Sequence, residues 1–209
     1  MIGVETDGAL RVIRLERADK ANALTAPMME ALIAAVEEAA GVGARALILT
    51  GAGKVFSAGA DLEAARAGLA TSPLWERLSG ALAGFPGLTV AALNGTLAGG
   101  AFGMALACDL RIAVPGAKFF YPVMKLGFLP QPSDPGRLVT LIGPARAKMI
   151  LMAGAKIEAE EALAWGLVDR IVAPDALIET ARGLCADTLA AGAAHAGTIK
   201  RMLAPVRGA

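Results

Sequence analysis

Two short glycine-rich stretches carry the residues whose types and spacing could do chemistry. They are FSAGADL at positions 56–62 and LAGGAF at positions 97–102. Each follows a stretch typical of a buried strand and precedes one typical of a helix. The first turn of a helix leaves backbone N–H groups without partners, with the positive end of the helix dipole behind them. Glycine and alanine at that point let a ligand oxygen come close to the backbone.

Two such N–H groups that converge on one oxygen form an oxyanion hole, where a single donor is worth about 3 kcal/mol in the transition state. A second interpretation is open for either stretch alone. Each could be a tight strand-to-helix turn whose small residues serve packing only. Short motifs of this kind do not decide between the two, so the surrounding elements have to be considered.

The bulk composition limits the classes of protein. The 209-residue chain has the length of one domain, and 56% of its residues are hydrophobic, which is enough for a large core. A net charge of +1 without a basic cluster argues against a general nucleic-acid binder. Two cysteines and one histidine supply neither a disulfide framework nor a zinc site. No basic segment leads into an apolar one at the N-terminus, so we expect a cytoplasmic protein.

The run between Arg77 and Asp109 contains no charged residue, which raises the alternative of a membrane span. The pairs Pro86-Gly87 and Asn94-Gly95 interrupt the run with turn signals. A short buried strand, a turn and a helix with a small-residue face explain the run better. We therefore predict that it belongs to a buried core.

Strand-like and helix-like stretches alternate along the chain, which predicts an α/β fold. We expect a hairpin around Asp7-Gly8 and a helix that begins after Thr25 and ends near Gly41. The segment LGFLPQPSDPG holds three prolines and predicts an irregular loop. Further helices are expected at about 145–152, at about 158–165 and from about Asp175 onward.

Several segments, taken together, resemble the crotonase superfamily, the enoyl-CoA hydratase/isomerase family. They are RADKANALT, VFSAGADL, AALNGTLAGGAFGMALACDLRIA, LG-x-x-P and IGPARAKMILMAGAKIEAEEALAWGLVDRIV. They occur in the family's order and at its spacing, from about Arg11 to Met202. One departure is Ala18, which stands where proline is common.

The resemblance implies a crotonase-like ββα spiral over residues 1–172 and a shortened helical C-terminal region over residues 173–209. Family members usually assemble as homotrimers or dimers of trimers. They bind an acyl-CoA thioester and stabilise an enolate-like intermediate, with no metal and no cofactor beyond the coenzyme A moiety of the substrate. We expect neither a nucleic acid nor a membrane as a partner. A shortened C-terminal region would leave an apolar patch exposed, which favours self-association.

Motif positions carry the family's site residues onto this chain. The two oxyanion donors fall on the backbone N–H groups of Ala60 and Gly100, and Asp109 and Arg111 fall in a structural motif. The positions implied for binding the coenzyme A moiety are Lys20, Ala21, Ala23, Ala58, Ala60, Asp61, Leu62 and Gly100.

The chain also departs from the family's hydratases, which use two glutamates. Gly103 stands at the first of these positions and Val123 at the second. A general acid or base contributes about 10²–10⁴-fold, so we expect little ordinary hydratase activity. Some isomerases place a carboxylate later, where this chain has Gln131. Asp134, three residues further on, is the remaining candidate base, although it could simply begin an Asp-Pro-Gly turn.

Weaker candidates are Tyr121, expected as a packed core residue with its hydroxyl at the edge, and His195, expected on the surface. An apolar acyl pocket is expected from Phe102, Phe120, Val123, Met124 and Phe128. The sequence thus predicts an acyl-CoA enzyme that is isomerase-like or lyase-like rather than an ordinary hydratase. The alternative is a catalytically silent protein that binds acyl-CoA or has a regulatory role.

Overall fold

The structure, a computed structural model, describes residues 1–203. The end of the predicted C-terminal region, residues 204–209, lies outside the described residues. The strands are β1 (Ile2–Asp7), β2 (Leu10–Leu15), β3 (Ala46–Gly51), β4 (Val55–Ser57), β5 (Leu88–Leu93), β6 (Thr96–Ala98), β7 (Leu110–Ala113), β8 (Lys118–Phe120), β9 (Ile157–Glu158) and β10 (Arg170–Ile171). The helices are α1 (Ala26–Gly41), α2 (Leu62–Arg66), α3 (Leu74–Gly84), α4 (Phe102–Ala107), α5 (Val123–Leu126), α6 (Asp134–Leu151), α7 (Ala159–Trp165), α8 (Leu177–Ala190) and α9 (Ala193–Met202).

The larger sheet has the strand order β1-β2-β3-β5-β7-β10, and it is parallel except for the β1–β2 hairpin. Every residue of β3 is buried, as expected for a central strand of a parallel sheet that is covered on both faces. Helix α8 packs against β3, β5 and β7. The hairpin turns at Gly8, whose φ of +55° suits glycine, so the predicted hairpin at Asp7-Gly8 is confirmed.

The smaller sheet has the order β4-β6-β8-β9. Its first three strands are parallel, and each directly follows a strand of the larger sheet: β4 follows β3, β6 follows β5 and β8 follows β7. A helix comes after each pair, so the chain winds as a series of ββα units. Because β4 and β6 are parallel neighbours, the helices that follow them begin at the same edge of the sheet. The predicted α/β class and the ββα spiral are confirmed.

The uncharged run forms the end of α3, then β5, β6 and α4; all of α4 and nearly all of β5 and β6 are buried, whereas Gly80, Ala83, Gly84 and Pro86 are exposed. Among residues 1–203, no helix combines the length and the apolar character that crossing a membrane requires. The buried core that the sequence predicts here is confirmed.

The prediction of an irregular loop as far as Gly136 is wrong at its end, because α6 already begins at Asp134. Pro135 lies in the first turn of α6, where a backbone N–H has no helical partner to lose. The helix predicted near residue 145 is the second half of α6. A kink at Gly143, with φ of +76°, separates the two halves.

Candidate active site

The two glycine-rich stretches of the sequence meet in space at the edge of the smaller sheet. Gly59 and Gly99 have φ values of +91° and +57°, a region that favours glycine. A Cβ atom added to Gly59 would lie 3.0 Å from the carbonyl oxygen of Ala98 and 3.4 Å from the backbone nitrogen of Gly100. The two loops are therefore in direct backbone contact, which a side chain at position 59 would disturb.

The backbone N–H of Ala60 points away from the neighbouring segment that contains Leu24. Leu24 forms a parallel bridge with Ala60, donating its N–H to Gly59 O at 2.7 Å and accepting from Asp61 N at 2.8 Å. In a parallel bridge these bonds belong to the two flanking residues, so the N–H of Ala60 lies on the opposite side. Among the described residues, no carbonyl or side-chain acceptor receives it. Ala60 is half-buried, so a ligand can reach this donor.

Gly100 lies in a single 3₁₀ turn, Gly99–Ala101, between β6 and α4. Its N–H belongs to the first turn, in which backbone donors have no intrahelical acceptor. A Cβ atom at Gly100 would meet the Trp75 ring at 3.2 Å. Trp75 is itself buried, and its indole N–H donates to Leu69 O at 2.8 Å. The packing therefore favours glycine at position 100 and brings its N–H beside the segment that carries Ala60.

The segment predicted to hold the coenzyme A moiety is fixed beside the first glycine-rich stretch. Ala21 and Asn22 adopt left-handed backbone conformations, with φ of +50° and +52°. The buried side chain of Asn22 accepts from Arg17 N at 2.9 Å and donates to the carbonyls of Ala52 and Val55. These bonds hold the unusual turn in place.

Two further hydrogen bonds join this segment to the strand end. Ala58 N donates to Ala21 O at 3.0 Å, and the Ser57 hydroxyl donates to Asn22 O at 2.8 Å. Lys20 and Ala58 are exposed, and Leu62 is 75% exposed. Three of the predicted binding positions are therefore on the surface, whereas Ala23 is buried.

The carboxylate of Asp61 is occupied within the protein. It caps α2 by accepting from Glu63 N at 3.0 Å and Ala64 N at 3.2 Å, and it pairs with Arg17 at 2.8 Å. The hydrogen bonds from Ala64 and Arg17 hold the pKa of Asp61 below its usual value. Asp61 thus fixes the start of α2, directly after Ala60, and its backbone is occupied as well, since its N–H donates to Leu24 O and its carbonyl accepts from Ala65 N.

Asp134 is not the exposed turn residue that its Asp-Pro-Gly sequence allows, because its side chain is fully buried. Tyr121 donates from its hydroxyl to Oδ2 of Asp134 at 3.0 Å, and Gln131 N donates to the same hydroxyl at 3.3 Å. Nη1 of Arg137 lies 3.9 Å from Oδ1, which is within ion-pair range but too far for a hydrogen bond. The expectation that the Tyr121 hydroxyl lies at an edge is wrong, since only 4% of Tyr121 is exposed.

Burial raises the pKa of Asp134 from 3.8 to about 7. The Tyr121 hydrogen bond and the Arg137 charge oppose this rise, and the nearby Glu76 charge adds to it. Burial beside the carboxylate also raises the pKa of Tyr121, so this phenol stays protonated and remains a donor. A carboxyl group that titrates near neutral pH can both accept and return a proton.

Asp134 faces the position at which the family's first glutamate is absent. A Cβ atom at Gly103 would lie 3.0 Å from Oδ1 of Asp134. Gly103 lies in the first turn of α4, directly after the 3₁₀ turn that contains Gly100. At the second position, Val123 begins α5 and is 6% exposed.

The 127–133 loop covers Asp134 and is tied to the α3 side of the molecule. Ser133 donates its N–H and its hydroxyl to the Glu76 carboxylate at 3.1 and 2.5 Å. The Gln131 side chain donates to Ala70 O at 3.3 Å. A substrate that contacts Asp134 must therefore displace part of this loop or enter along α4.

The five residues expected to form the acyl pocket differ widely in exposure, and two of them are neighbours, since Phe128 N donates to Val123 O at 3.2 Å. Phe102 and Val123 are buried, and Phe120 is half-buried. Met124 and Phe128 are 63% and 42% exposed, because the short α5 places them on the surface. His195 is exposed on α9, as expected.

Sequence reasoning missed the pair formed by Tyr121 and Asp134, and it missed Arg137 altogether. The available signal was weak: Tyr121 is the one tyrosine in the chain and is followed by proline. The predicted structural role of Asp109 fits its contacts, since its carboxylate accepts from Thr89 N and pairs with Lys200 at 2.8 Å.

Comparison with known proteins identifies the family of this chain. The sequence model of the family described as enoyl-CoA hydratase/isomerase matches residues 5–206. Over 171 residues the chain is 36% identical to a Mycobacterium tuberculosis protein named probable enoyl-CoA hydratase echA6, which covers 82% of this chain and 70% of that protein. It is 41% identical over 150 residues to carnitinyl-CoA dehydratase of Citrobacter koseri, covering 67% of this chain and 56% of that protein.

The crystal structure of an enoyl-CoA hydratase from Bacillus anthracis superposes with a TM-score of 0.91 at 30% identity, over 98% of this chain and 82% of that one. The fold and the sequence define a crotonase-superfamily protein, and the chain belongs to the enoyl-CoA hydratase/isomerase family.

Proposed function

We propose that this protein binds an acyl-CoA thioester and stabilises its enolate with the backbone N–H groups of Ala60 and Gly100. The observation that carries the proposal is the meeting of two loops that each present an N–H without a helical or strand partner. Forming an enolate moves negative charge onto the thioester oxygen. Fixed N–H donors aimed at that oxygen stabilise the transition state more than the ground state.

Asp134 is the group that we propose moves the proton. Its burial gives it a pKa of about 7, and it faces Gly103 in the first turn of α4. A single carboxyl group suffices to take a proton from one carbon and return it to another. The family's hydratases use two glutamates, and the resemblance aligns Gly103 and Val123 with those positions. An isomerase-like or lyase-like reaction therefore fits better than ordinary hydration.

The coenzyme A moiety is proposed to lie along residues 20–23 and 58–62. The exposed Lys20 supplies a positive charge for its phosphates, and Ala58 and Leu62 are exposed on the neighbouring segment. We propose no metal and no cofactor beyond the coenzyme A of the substrate. The trimeric assembly and the cytoplasmic location stay predictions.

A second candidate function is a catalytically silent acyl-CoA binder. The observation in its favour is the complete burial of Asp134 under a loop tied to Glu76 and Ala70. In that case the two N–H groups would hold the thioester carbonyl without chemistry.

Exchange of acyl-CoA α-protons with D₂O, followed by ¹H NMR, tests the proposal because enolate formation is its common step. We expect wild-type protein to exchange these protons and to convert 3-enoyl-CoA to 2-enoyl-CoA, with hydration of crotonyl-CoA much slower. Asp134→Asn should lower exchange by about 10²-fold or more. Saturable binding of acyl-CoA without α-proton exchange would support the catalytically silent binder. Absence of acyl-CoA binding would exclude both functions.

A further inference from the structure

Tyr121 is held rigidly where it contacts Asp134. Its ring stacks on Phe102, with ring centroids 5.3 Å apart, and Phe102 directly precedes Gly103 on α4. Its hydroxyl accepts from Gln131 N and donates to Oδ2 of Asp134. With its acceptor role and its donor role both filled, this hydroxyl fixes one oxygen of the carboxyl group.

The other carboxyl oxygen is left unpartnered. Among the described residues, neither Oδ1 of Asp134 nor Nη1 of Arg137 makes a hydrogen bond, although both are buried. Oδ1 lies 3.0 Å from the position that a Cβ atom at Gly103 would take. A buried, unbonded carboxyl oxygen is costly, and here it faces Gly103 in the first turn of α4.

We propose that Tyr121 is a positioning residue that holds Oδ2 of Asp134, and that Gly103 leaves open the space in which Oδ1 exchanges a proton with the substrate. This inference rests on the proposed function. It means that a carboxyl group on α6 replaces the missing glutamate of α4. A side chain at position 103 would therefore crowd Oδ1 of Asp134.

The proton-transfer step balances without a further reactant. Oδ1 takes a proton from the acyl α-carbon, the C–H electron pair forms the new C=C bond of the enolate, and the thioester oxygen takes the negative charge. In a 3-enoyl-CoA, returning the proton to the γ-carbon shifts the double bond to the 2-position. Asp134 is then a carboxylate again.

Three groups face Asp134 from the elements packed around it: Tyr121 after β8, Arg137 on α6 and Glu76 on α3. The Tyr121 hydrogen bond favours the charged carboxylate. Removing the hydroxyl in Tyr121→Phe should raise the pKa of Asp134 by about one unit, the size of one hydrogen bond to a charged group. The low-pH limb of kcat should move by the same amount while KM changes little.

The experiment combines two readouts. ¹³C NMR of protein labelled at aspartate Cγ, with the Asp134 signal assigned by its loss in Asp134→Asn, gives the carboxyl pKa without turnover. The pH profile of α-proton exchange gives the pH below which the rate falls. If Tyr121→Phe changes neither the pKa of Asp134 nor the low-pH side of the rate profile, the inference is overturned. If wild type exchanges no protons while the NMR pKa still moves, the proposed function fails and the Tyr121–Asp134 contact stands.

Gly103→Ala tests the open space. Its methyl group would press on Oδ1, so we expect kcat to fall at least 10-fold at every pH with the melting temperature maintained. Gly183→Ala on α8 is the matched control, because a Cβ atom there meets nothing within 4 Å. Full activity in Gly103→Ala would overturn this part of the inference.

Discussion

Gly59 and Gly100 belong to successive ββα units, and their backbones touch: a Cβ atom on Gly59 would lie 3.4 Å from the nitrogen of Gly100. The contact follows from the parallel pairing of β4 and β6, which brings the ends of both strands to one edge. Each strand end leads into a helix start with free N–H groups. The site is therefore a product of the repeated unit rather than of either loop alone.

Gly59→Ala should separate the two loops. The substitution places a methyl group 3.0 Å from Ala98 O on a backbone with φ of +91°. We expect a destabilisation of about 1–3 kcal/mol from backbone strain and at least a 10-fold loss of kcat, measured by denaturation and α-proton exchange.

Gly68→Ala is the matched control for this change. Its φ is +103°, so the strain is comparable, but a Cβ atom there meets nothing within 4 Å. Equal losses of kcat in the two variants would show that strain alone, and not the approach of the loops, matters.

Asp134 should make the protein less stable as the pH rises through the neutral range. Its pKa rises from 3.8 in the unfolded chain to about 7 in the fold, so the folded state holds the proton more tightly. Its contribution to stability is greatest below about pH 4 and is lost progressively up to about pH 7. A shift of this size corresponds to about 4 kcal/mol.

Asp134→Asn should remove this dependence. We expect the unfolding free energy of the variant, measured in urea, to rise relative to that of wild type between pH 4 and pH 8. Asp187→Asn, exposed on α8, controls for the loss of a negative charge. A difference that stays flat with pH would contradict the burial of an ionisable group at Asp134.

The fold class could be predicted from the sequence because it depends on local patterns of strands, helices and turns. The resemblance to the family, and not local pattern, supplies Ala60 and Gly100 as donors and Gly103 and Val123 as the positions without glutamate. The sequence names Asp134 as the remaining candidate base but does not predict what surrounds it. Its role depends on Tyr121 reaching it across the fold, and local sequence carries no trace of such a contact.

Pro135 shows the limit of local rules. Proline clusters usually indicate loops, yet proline is also favoured in the first turn of a helix. The structure adopts the second alternative, and starting α6 at Asp134 turns that side chain inward rather than into solvent. The packing of α6 against α4 decides whether Pro135 belongs to a loop or to the first turn of a helix.

Lys20 should contribute to affinity through the phosphates of coenzyme A. Lys20→Ala should weaken acyl-CoA binding severalfold at low salt, with the difference shrinking as ionic strength rises, because exposed charges are screened. Lys148→Ala, exposed on α6, is the matched control. Isothermal calorimetry at two salt concentrations measures both, and equal effects of the two substitutions would contradict the proposed position of coenzyme A.

Ser133 should control entry of the acyl group. Its hydroxyl donates to Glu76 at 2.5 Å and helps to hold the 127–133 loop over Asp134. If the loop must open before the acyl group contacts Asp134, association is slower than simple docking allows. Ser133→Ala should then raise the association rate of acyl-CoA severalfold in stopped-flow measurements. Thr140→Ala, which removes an exposed hydroxyl bond within α6, should leave the rate unchanged. A rate that is the same in wild type and Ser133→Ala would mean that the substrate enters along α4 instead.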